Sequence, residues 1–294
     1  MAERFTNGRK DLRKEKAILI LALFVFIALF FVQPIAQADA YNRTSAVVLM
    51  DADTQEVLYS ENEKVKMEIA STTKILTAIA VIEHADVFMT YAIPKQAVGV
   101  EGSSIYLREG EKWRVLDLLY GLLLRSGNDA ATALALATSN NSEAFACLMN
   151  QTARKIGATD SNFTNPHGLH DENHYSTALD MAKITAYALK CPIFAEICKT
   201  KTHVCEKLTR DGKQKVVFYN KNKLLYSYPD AIGVKTGYTK HSGRCLVSAA
   251  ERAGQRLVCV TLNVYDTYGV SKTLFEKHFS AKQNACENPK DKVS

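Results

Sequence analysis

Ile69-Ala70-Ser71-Thr72-Thr73-Lys74-Ile75-Leu76-Thr77-Ala78-Ile79-Ala80-Val81-Ile82 is the stretch around which the chain is organised. It contains no Gly or Pro and is apolar almost all round, the pattern of a helix buried on every side. Its first turn nevertheless carries Ser71 and, three residues on, Lys74. Residues i and i+3 share a helix face, so the hydroxyl and the amine can meet. Lysine is seldom buried without a partner. Desolvation favours its neutral form, and a neutral amine beside a hydroxyl can activate that hydroxyl as a nucleophile. Taken alone, the pair also fits a capping serine and a lysine reaching for solvent, since Ser-x-x-Lys arises by chance about once in such a chain. The other segments decide between the two.

Residues 45–50 and 56–60 flank Asp51-Ala52-Asp53-Thr54-Gln55 and read as a β-hairpin. The Ser71 helix follows, then a loop-rich stretch with short strands over 85–111. Residues 115–137 are helical on either side of an interruption at Ser126-Gly127-Asn128-Asp129. Gly and Asn form turns, and Asn128 or Asp129 can cap the second helix. A polar turn held between two apolar helices is directed at a cleft. Another helix covers 143–156 and ends at Gly157. Asn165-Pro166-His167-Gly168-Leu169 is a loop, and Ser176 stands where it would cap a helix over 177–189. Strands dominate from Lys199: 201–208 and 214–219 around Asp211-Gly212, then 244–250 and 256–264 around Gly254. A helix over 269–279 closes the chain. Helices in the middle with strands first and last make an α+β domain on a mostly antiparallel sheet.

Of 294 residues 47% are hydrophobic, enough for a substantial core; the net charge is +6, and the +4 left without residues 1–40 comes with no basic block, which argues against nucleic-acid binding. Residues 1–40 read as a targeting segment. Arg4, Arg9, Lys10, Arg13, Lys14 and Lys16 precede an apolar run over 17–32, and Ala36-Gln37-Ala38 or Ala38-Asp39-Ala40 offers a cleavage site. The run is short for a spanning helix, which favours cleaved export over a retained N-terminal anchor. That leaves 41–282 as the catalytic domain and 283–294 as a polar C-terminal tail. The seven cysteines are odd in number and show no Cys-x-x-Cys spacing; they read as core or surface residues with room for one or two disulfides. His167, His170 and His174 are irregularly spaced in a Gly/Pro loop, so no metal site is expected there.

The second chemical signal is Gly233-Val234-Lys235-Thr236-Gly237-Tyr238-Thr239. On a strand edge, Lys235 supplies charge, Thr236 a hydroxyl, and Gly237 room for a ligand backbone. Lys-Thr-Gly has a chance expectation below about 0.1 in a chain like this. Ser71-x-x-Lys74, Ser126-Gly127-Asn128 and Lys235-Thr236-Gly237, in this order, resemble the three signatures of the penicillin-recognising serine enzymes. Ser139-Asn140-Asn141 is a second Ser-x-Asn, but in a polar loop rather than the interhelical turn. With Asn165-Pro166-His167-Gly168-Leu169 and His174-Tyr175-Ser176-Thr177-Ala178, the chain is similar, over about residues 45–279, to low-molecular-mass penicillin-binding proteins that are D-alanyl-D-alanine carboxypeptidases.

The resemblance implies a β-lactamase/transpeptidase-like α+β fold, a central sheet flanked by helices with a helical subdomain. It implies a serine peptidase without metal or organic cofactor, acting outside the cytoplasm on peptidoglycan stem peptides and blocked covalently by β-lactams. Membrane contact would come only through an uncleaved N-terminal segment. Ser71 would be the nucleophile, Lys74 the base, Ser126 the proton relay and Asn128 the group that orients Lys74 and substrate. Lys235, Thr236, Gly237 and Tyr238 would bind substrate, with backbone N–H groups of Ser71 and Tyr238 as the oxyanion hole. Gly127 departs from the Ser-Asp-Asn usual in class A β-lactamases. Many relatives continue into a second, β-rich domain, and this chain stops at Ser294. No clear Arg follows the last strand to take the substrate carboxylate, which leaves Lys235 and Thr236, helped by Arg244. The rival readings are a β-lactamase or D,D-endopeptidase on the same scaffold, and a non-catalytic wall-binding or β-lactam-sensing module.

Overall fold

The computed structural model describes residues 44–139 and 141–287. The expected export segment and the last residues of the polar tail lie outside the described residues. In chain order the elements are β1 (Ala46–Asp51), β2 (Val57–Glu61), α1 (Lys74–His84), β3 (Thr90–Ala92), β4 (Lys112–Arg114), α2 (Val115–Arg125), α3 (Asn128–Thr138) and α4 (Ser142–Ile156). They continue with α5 (Ala178–Ala188), α6 (Pro192–Lys199), β5 (Thr202–Thr209), β6 (Gly212–Tyr219) and the single turn α7 (Leu224–Ser227). The last are β7 (Ala231–Thr239), β8 (Gly243–Arg252), β9 (Gln255–Leu262) and α8 (Thr267–Glu287).

The first and last strands share one five-stranded sheet, order β2-β1-β9-β8-β7, antiparallel throughout. β1 is buried at all six positions because the sheet is covered on both faces. Side chains alternate with period two. Val48 and Met50 therefore join Val258 and Val260 in the core shared with the helices. Leu49 points the other way, to Leu257, Cys259, Phe275 and Phe279 under the closing helix α8. α5 lies against β1 and β9, and α1 is enclosed by α2, α3, α4 and α5. That enclosure is why α1 shows no polar stripe: every residue from Lys74 to Val81 is buried. Sheet, helical layer and outer helix make the α+β architecture that the order of elements implied.

Four local expectations are corrected. The apolar stretch does not begin as α-helix: Ala70–Thr73 is a 3₁₀ turn, and α1 starts only at Lys74. The cap of α5 is Thr177, whose Oγ1 accepts from the Asp180 N–H at 3.0 Å, while Ser176 Oγ lies 2.8 Å from Ser161 Oγ. The first two strands after Lys199 do not join the main sheet with the last three. β5 and β6 pair with β3 and β4 in a separate four-stranded sheet, order β3-β4-β5-β6. One face of it is buried, with Phe218 stacked on Trp113 at 6.1 Å, and the other leaves Val204 and Val217 exposed. Finally, α8 continues past residue 279 to Glu287. No helix among the described residues is long and apolar enough to cross a membrane.

Six of the seven cysteines are seen free: Cys147 is exposed, Cys191 half-buried, and Cys198, Cys205, Cys245 and Cys259 buried. Burial denies access and disfavours thiolate, pushing Cys245 up to about 11 and both Cys205 and Cys259 up to about 12. Iodoacetamide applied to the native protein is therefore expected to label Cys147 first and the four buried thiols only after unfolding, as read by peptide mapping. A disulfide linking any two of these six would contradict the packing.

Candidate active site

The 3₁₀ turn sets Ser71 at the entrance of α1 and Lys74 one turn inside it. Nζ of Lys74, fully buried, lies 2.9 Å from Ser71 Oγ, 2.7 Å from Asn128 Oδ1 and 2.6 Å from the His167 carbonyl. Burial, reinforced by the positive charge of Lys235, holds the Lys74 pKa well below the ordinary lysine value; Asp129 opposes this and Lys221 adds to it. The hydrogen-bond inventory then gives the amine a direction. An amide oxygen and a backbone carbonyl can only accept, so they take the two N–H groups of a neutral amine. Once the proton is lost, the lone pair is left on the side of Ser71, whose hydroxyl could then donate to it. Ser71 is no side-chain cap, and Lys74 does not reach for solvent.

The orientation of Asn128 is not free either. Its Nδ2 donates to the Glu101 carbonyl at 2.5 Å, which turns Oδ1 toward Lys74. Its backbone N–H donates to the Ser103 carbonyl at 2.7 Å. Asp129 fixes the same loop, accepting from Ser104 Oγ at 2.6 Å and from the Ile105 and Leu107 N–H groups at 3.1 Å. Neither side chain caps α3 in the expected way; the N-cap is Gly127, without a side-chain bond. Ser126 ends α2 in the left-handed region at φ 62°, and its hydroxyl is hydrogen-bonded to none of Ser71, Lys74 or Asn128. The turn nonetheless sets Ser126 two residues from the amide that touches Lys74.

β7 forms the opposite wall. Lys235 and Gly237 share one face and Thr236 and Tyr238 the other. A Cβ at Gly237 would stand 3.1 Å from the Ile69 carbonyl oxygen and 3.2 Å from Ser71 N. The close approach expected of a ligand backbone is made by the protein's own Ile69–Ser71 segment. Lys235 is buried, and burial, helped by Lys221, lowers its pKa to about 7. Its Nζ donates to the Thr236 carbonyl at 2.8 Å. Tyr238 is 67% exposed and lies opposite Arg244 on β8. Arg244 does not stand beside Lys235: its guanidinium covers the Tyr265 ring at 4.9 Å and donates to the Tyr265 carbonyl.

Motif spacing gave no role in this site to the 165–174 loop or to Lys221. Asn165 Oδ1 accepts from Gly168 N at 2.7 Å, folding the loop so that the His167 carbonyl meets Lys74 and the Pro166 carbonyl meets Thr77 Oγ1 at 2.7 Å. His174 Nδ1 accepts from Thr164 N, so its Nε2 carries the proton and donates to Thr73 Oγ1 at 2.8 Å; Thr73 in turn donates to the Ala70 carbonyl. Burial lowers the pKa of His174 to about 4 and of His167 to about 3, consistent with neutral rings. Gly168, at φ +81°, lies where a Cβ would collide with the Ala70 carbonyl. Gly168→Ala is expected to destabilise the fold by about 2 kcal/mol and to slow acylation of Ser71 at least about tenfold. Gly157→Ala, at φ +87° with open space around it, should cost about 1 kcal/mol and leave acylation unchanged. Equal acylation rates in the two variants would show that the loop does not position Lys74.

Comparison with known proteins gives the family and the fold. The profile of peptidase family S11, D-alanyl-D-alanine carboxypeptidase, matches residues 33–266. D-alanyl-D-alanine carboxypeptidase DacF of Bacillus subtilis is 34% identical over 228 residues, 76% of this chain and 58% of that protein, so the chain spans little more than half of that relative. The solved D-alanyl-D-alanine carboxypeptidase from Mycobacterium tuberculosis superposes with a TM-score of 0.74 at 32% identity, covering 80% of this chain and 90% of that one. The Streptomyces K15 DD-transpeptidase superposes with a TM-score of 0.69 at 33% identity, covering 74% and 88%. A profile match over most of the chain, on a sheet and helical layer that superpose with these structures, places the protein in the D-alanyl-D-alanine carboxypeptidase family, peptidase family S11.

Proposed function

We propose that the protein is a serine D,D-carboxypeptidase that removes the terminal D-alanine from peptidoglycan pentapeptide stems. The observation that carries the reading is the buried, partnered amine of Lys74 with its third direction on Ser71 Oγ. Ser71 Oγ attacks the carbonyl carbon between the two D-alanines as its proton passes to Lys74 Nζ. The carbonyl oxygen becomes an oxyanion held by the backbone N–H groups of Ser71 and Tyr238. Collapse of the intermediate breaks the C–N bond, and Ser126 relays a proton to the departing amine. Water then cleaves the ester and restores Ser71. Asn128 holds Lys74 and the substrate amide, while Lys235 and Thr236 take the terminal carboxylate. Gly237 supplies the clearance that lets β7 lie against Ser71. A β-lactam follows the same first step and remains as an ester.

Two further features support work outside the cytoplasm: the basic and apolar pattern of residues 1–40 and the family itself. We read the segment as a cleaved export signal, with membrane contact only where it is retained. The mature N-terminus would then be near Asp39 or Tyr41.

Labelled penicillin is expected to attach to Ser71, and Ser71→Ala to lose the label while keeping the thermal transition of the parent. Acylation should rise with pH as Lys74 loses its proton, along a limb well below the ordinary lysine value of about 10.4. Lys74→Arg keeps a cation but cannot act as a base, and should acylate at least about 100-fold more slowly. With a D-Ala-D-Ala pentapeptide the parent should release D-alanine. Label on Ser126 or Ser139, or a Lys74→Arg rate near the parent's, would overturn the assignment of roles. Acylation without D-alanine release would move the reading to a β-lactam-sensing module.

A further inference from the structure

His170 is the loop histidine that does not turn inward. Its Nδ1 lies 2.9 Å from Glu68 Oε1, and its ring stacks on His241 at 4.2 Å with the planes 8° apart. The three residues come from three separate segments: the lead-in to the nucleophile turn, the loop that holds Lys74, and the turn between β7 and β8. One donor atom from each lies within 4.8 Å of the others. Two imidazoles and one carboxylate are ligands that suit Zn²⁺ and its first-row neighbours. We propose that Glu68, His170 and His241 form a binding site for a divalent transition metal of the Zn²⁺ class on the rim of the cleft, independent of the reaction assigned to Ser71.

The geometry needs only a small adjustment. Donors about 2.0–2.2 Å from a tetrahedral zinc are about 3.3 Å apart. The ion takes the place of the proton shared by His170 and Glu68, and the His241 ring swings out of its stack to close the third side. His241 is exposed in a turn, and the side chains of His170 and Glu68 are 44% and 29% exposed, so that movement meets little packing. Three protein donors leave the fourth position to water. A second cluster, Asp117, His203 and Cys205, is less suited. Asp117 already pairs with Arg114 through both oxygens, and burial holds the Cys205 thiol at about 12. A bound ion at the rim ties together the three segments that shape the entrance: Glu68 stands three residues before Ser71, and His170 three residues after His167.

The test uses the whole protein with Zn²⁺ and with Co²⁺ as a coloured probe. Calorimetry is expected to show one saturable Zn²⁺ site. Co²⁺ should give visible d–d absorption that EDTA abolishes. At a hundredfold excess over Kd, Zn²⁺ should raise Tm by about 5 °C. His241→Ala and, separately, Glu68→Gln should weaken Zn²⁺ binding about 100-fold and remove the Tm shift; both changes are at the surface, and their own Tm without metal reports that they fold. Undiminished binding in both variants would place the ion elsewhere and overturn the assignment. So would the absence of saturable binding by the parent.

Discussion

The constraint on which the rest of the structure depends is the burial of one amine. Lys74 sits inside a helix with no wet face, and a lone ammonium there would be costly. The protein answers in two ways. Three oxygen partners surround Nζ, and a second buried lysine, Lys235, adds like-charge repulsion that favours loss of the proton. Both lysines have folded-state pKa values lowered from 10.5, so at neutral pH the unfolded chain binds more protons than the folded one. The sign follows: holding these amines poorly charged costs stability near neutral pH. That cost is the usual mark of a site arranged for chemistry rather than for packing.

The scaffold around Lys74 is organised to keep its partners in place. The Glu101 carbonyl turns Asn128, Asp129 ties down the 104–107 segment, and the Asn165 turn brings the His167 carbonyl inward. His174 and Thr73 brace the 3₁₀ turn that presents Ser71. None of these supporting groups needs to touch a substrate. Each limits a degree of freedom of one that would, which is how packing achieves positioning. The sheet contributes rigidity: β7 is an edge strand, yet it is pressed against the 3₁₀ turn of Ser71 at Gly237 and paired from end to end with β8.

Much of this was legible in the sequence because the chemistry needs few residue types at set spacings. Ser71 and Lys74 are one helical turn apart, and Ser126 and Asn128 sit in a turn that two apolar helices isolate. The hairpins were legible for a similar reason, since turn residues mark them locally. Sheet membership was not, because the partner of β5 is β4, nearly a hundred residues earlier in the chain, and turn chemistry says nothing of it. The start of α1 was misread because apolar patterning does not separate a 3₁₀ turn from an α-helix. Ser176 and Thr177 are both good caps, so the choice between neighbours needed coordinates. Least legible were the carbonyls of Glu101, Pro166 and His167: every residue has one, and only tertiary packing selects which of them meets a side chain. The Asn165-Pro166-His167-Gly168 motif was visible, but its task was not.

The central claim is that burial beside Lys235 makes Lys74 give up its proton far more readily than an ordinary lysine, so that its amine can act as a base. The direct measurement is an NMR titration of the lysine ε-carbons in isotopically labelled protein, with the Lys74 signal assigned by its loss in Lys74→Met. The account predicts a midpoint well below the value of about 10.4 for an ordinary lysine, coinciding with the limb along which acylation rises. A Lys74 that holds its proton to pH 10 or beyond would contradict it, and would make the lysine an electrostatic anchor rather than a base.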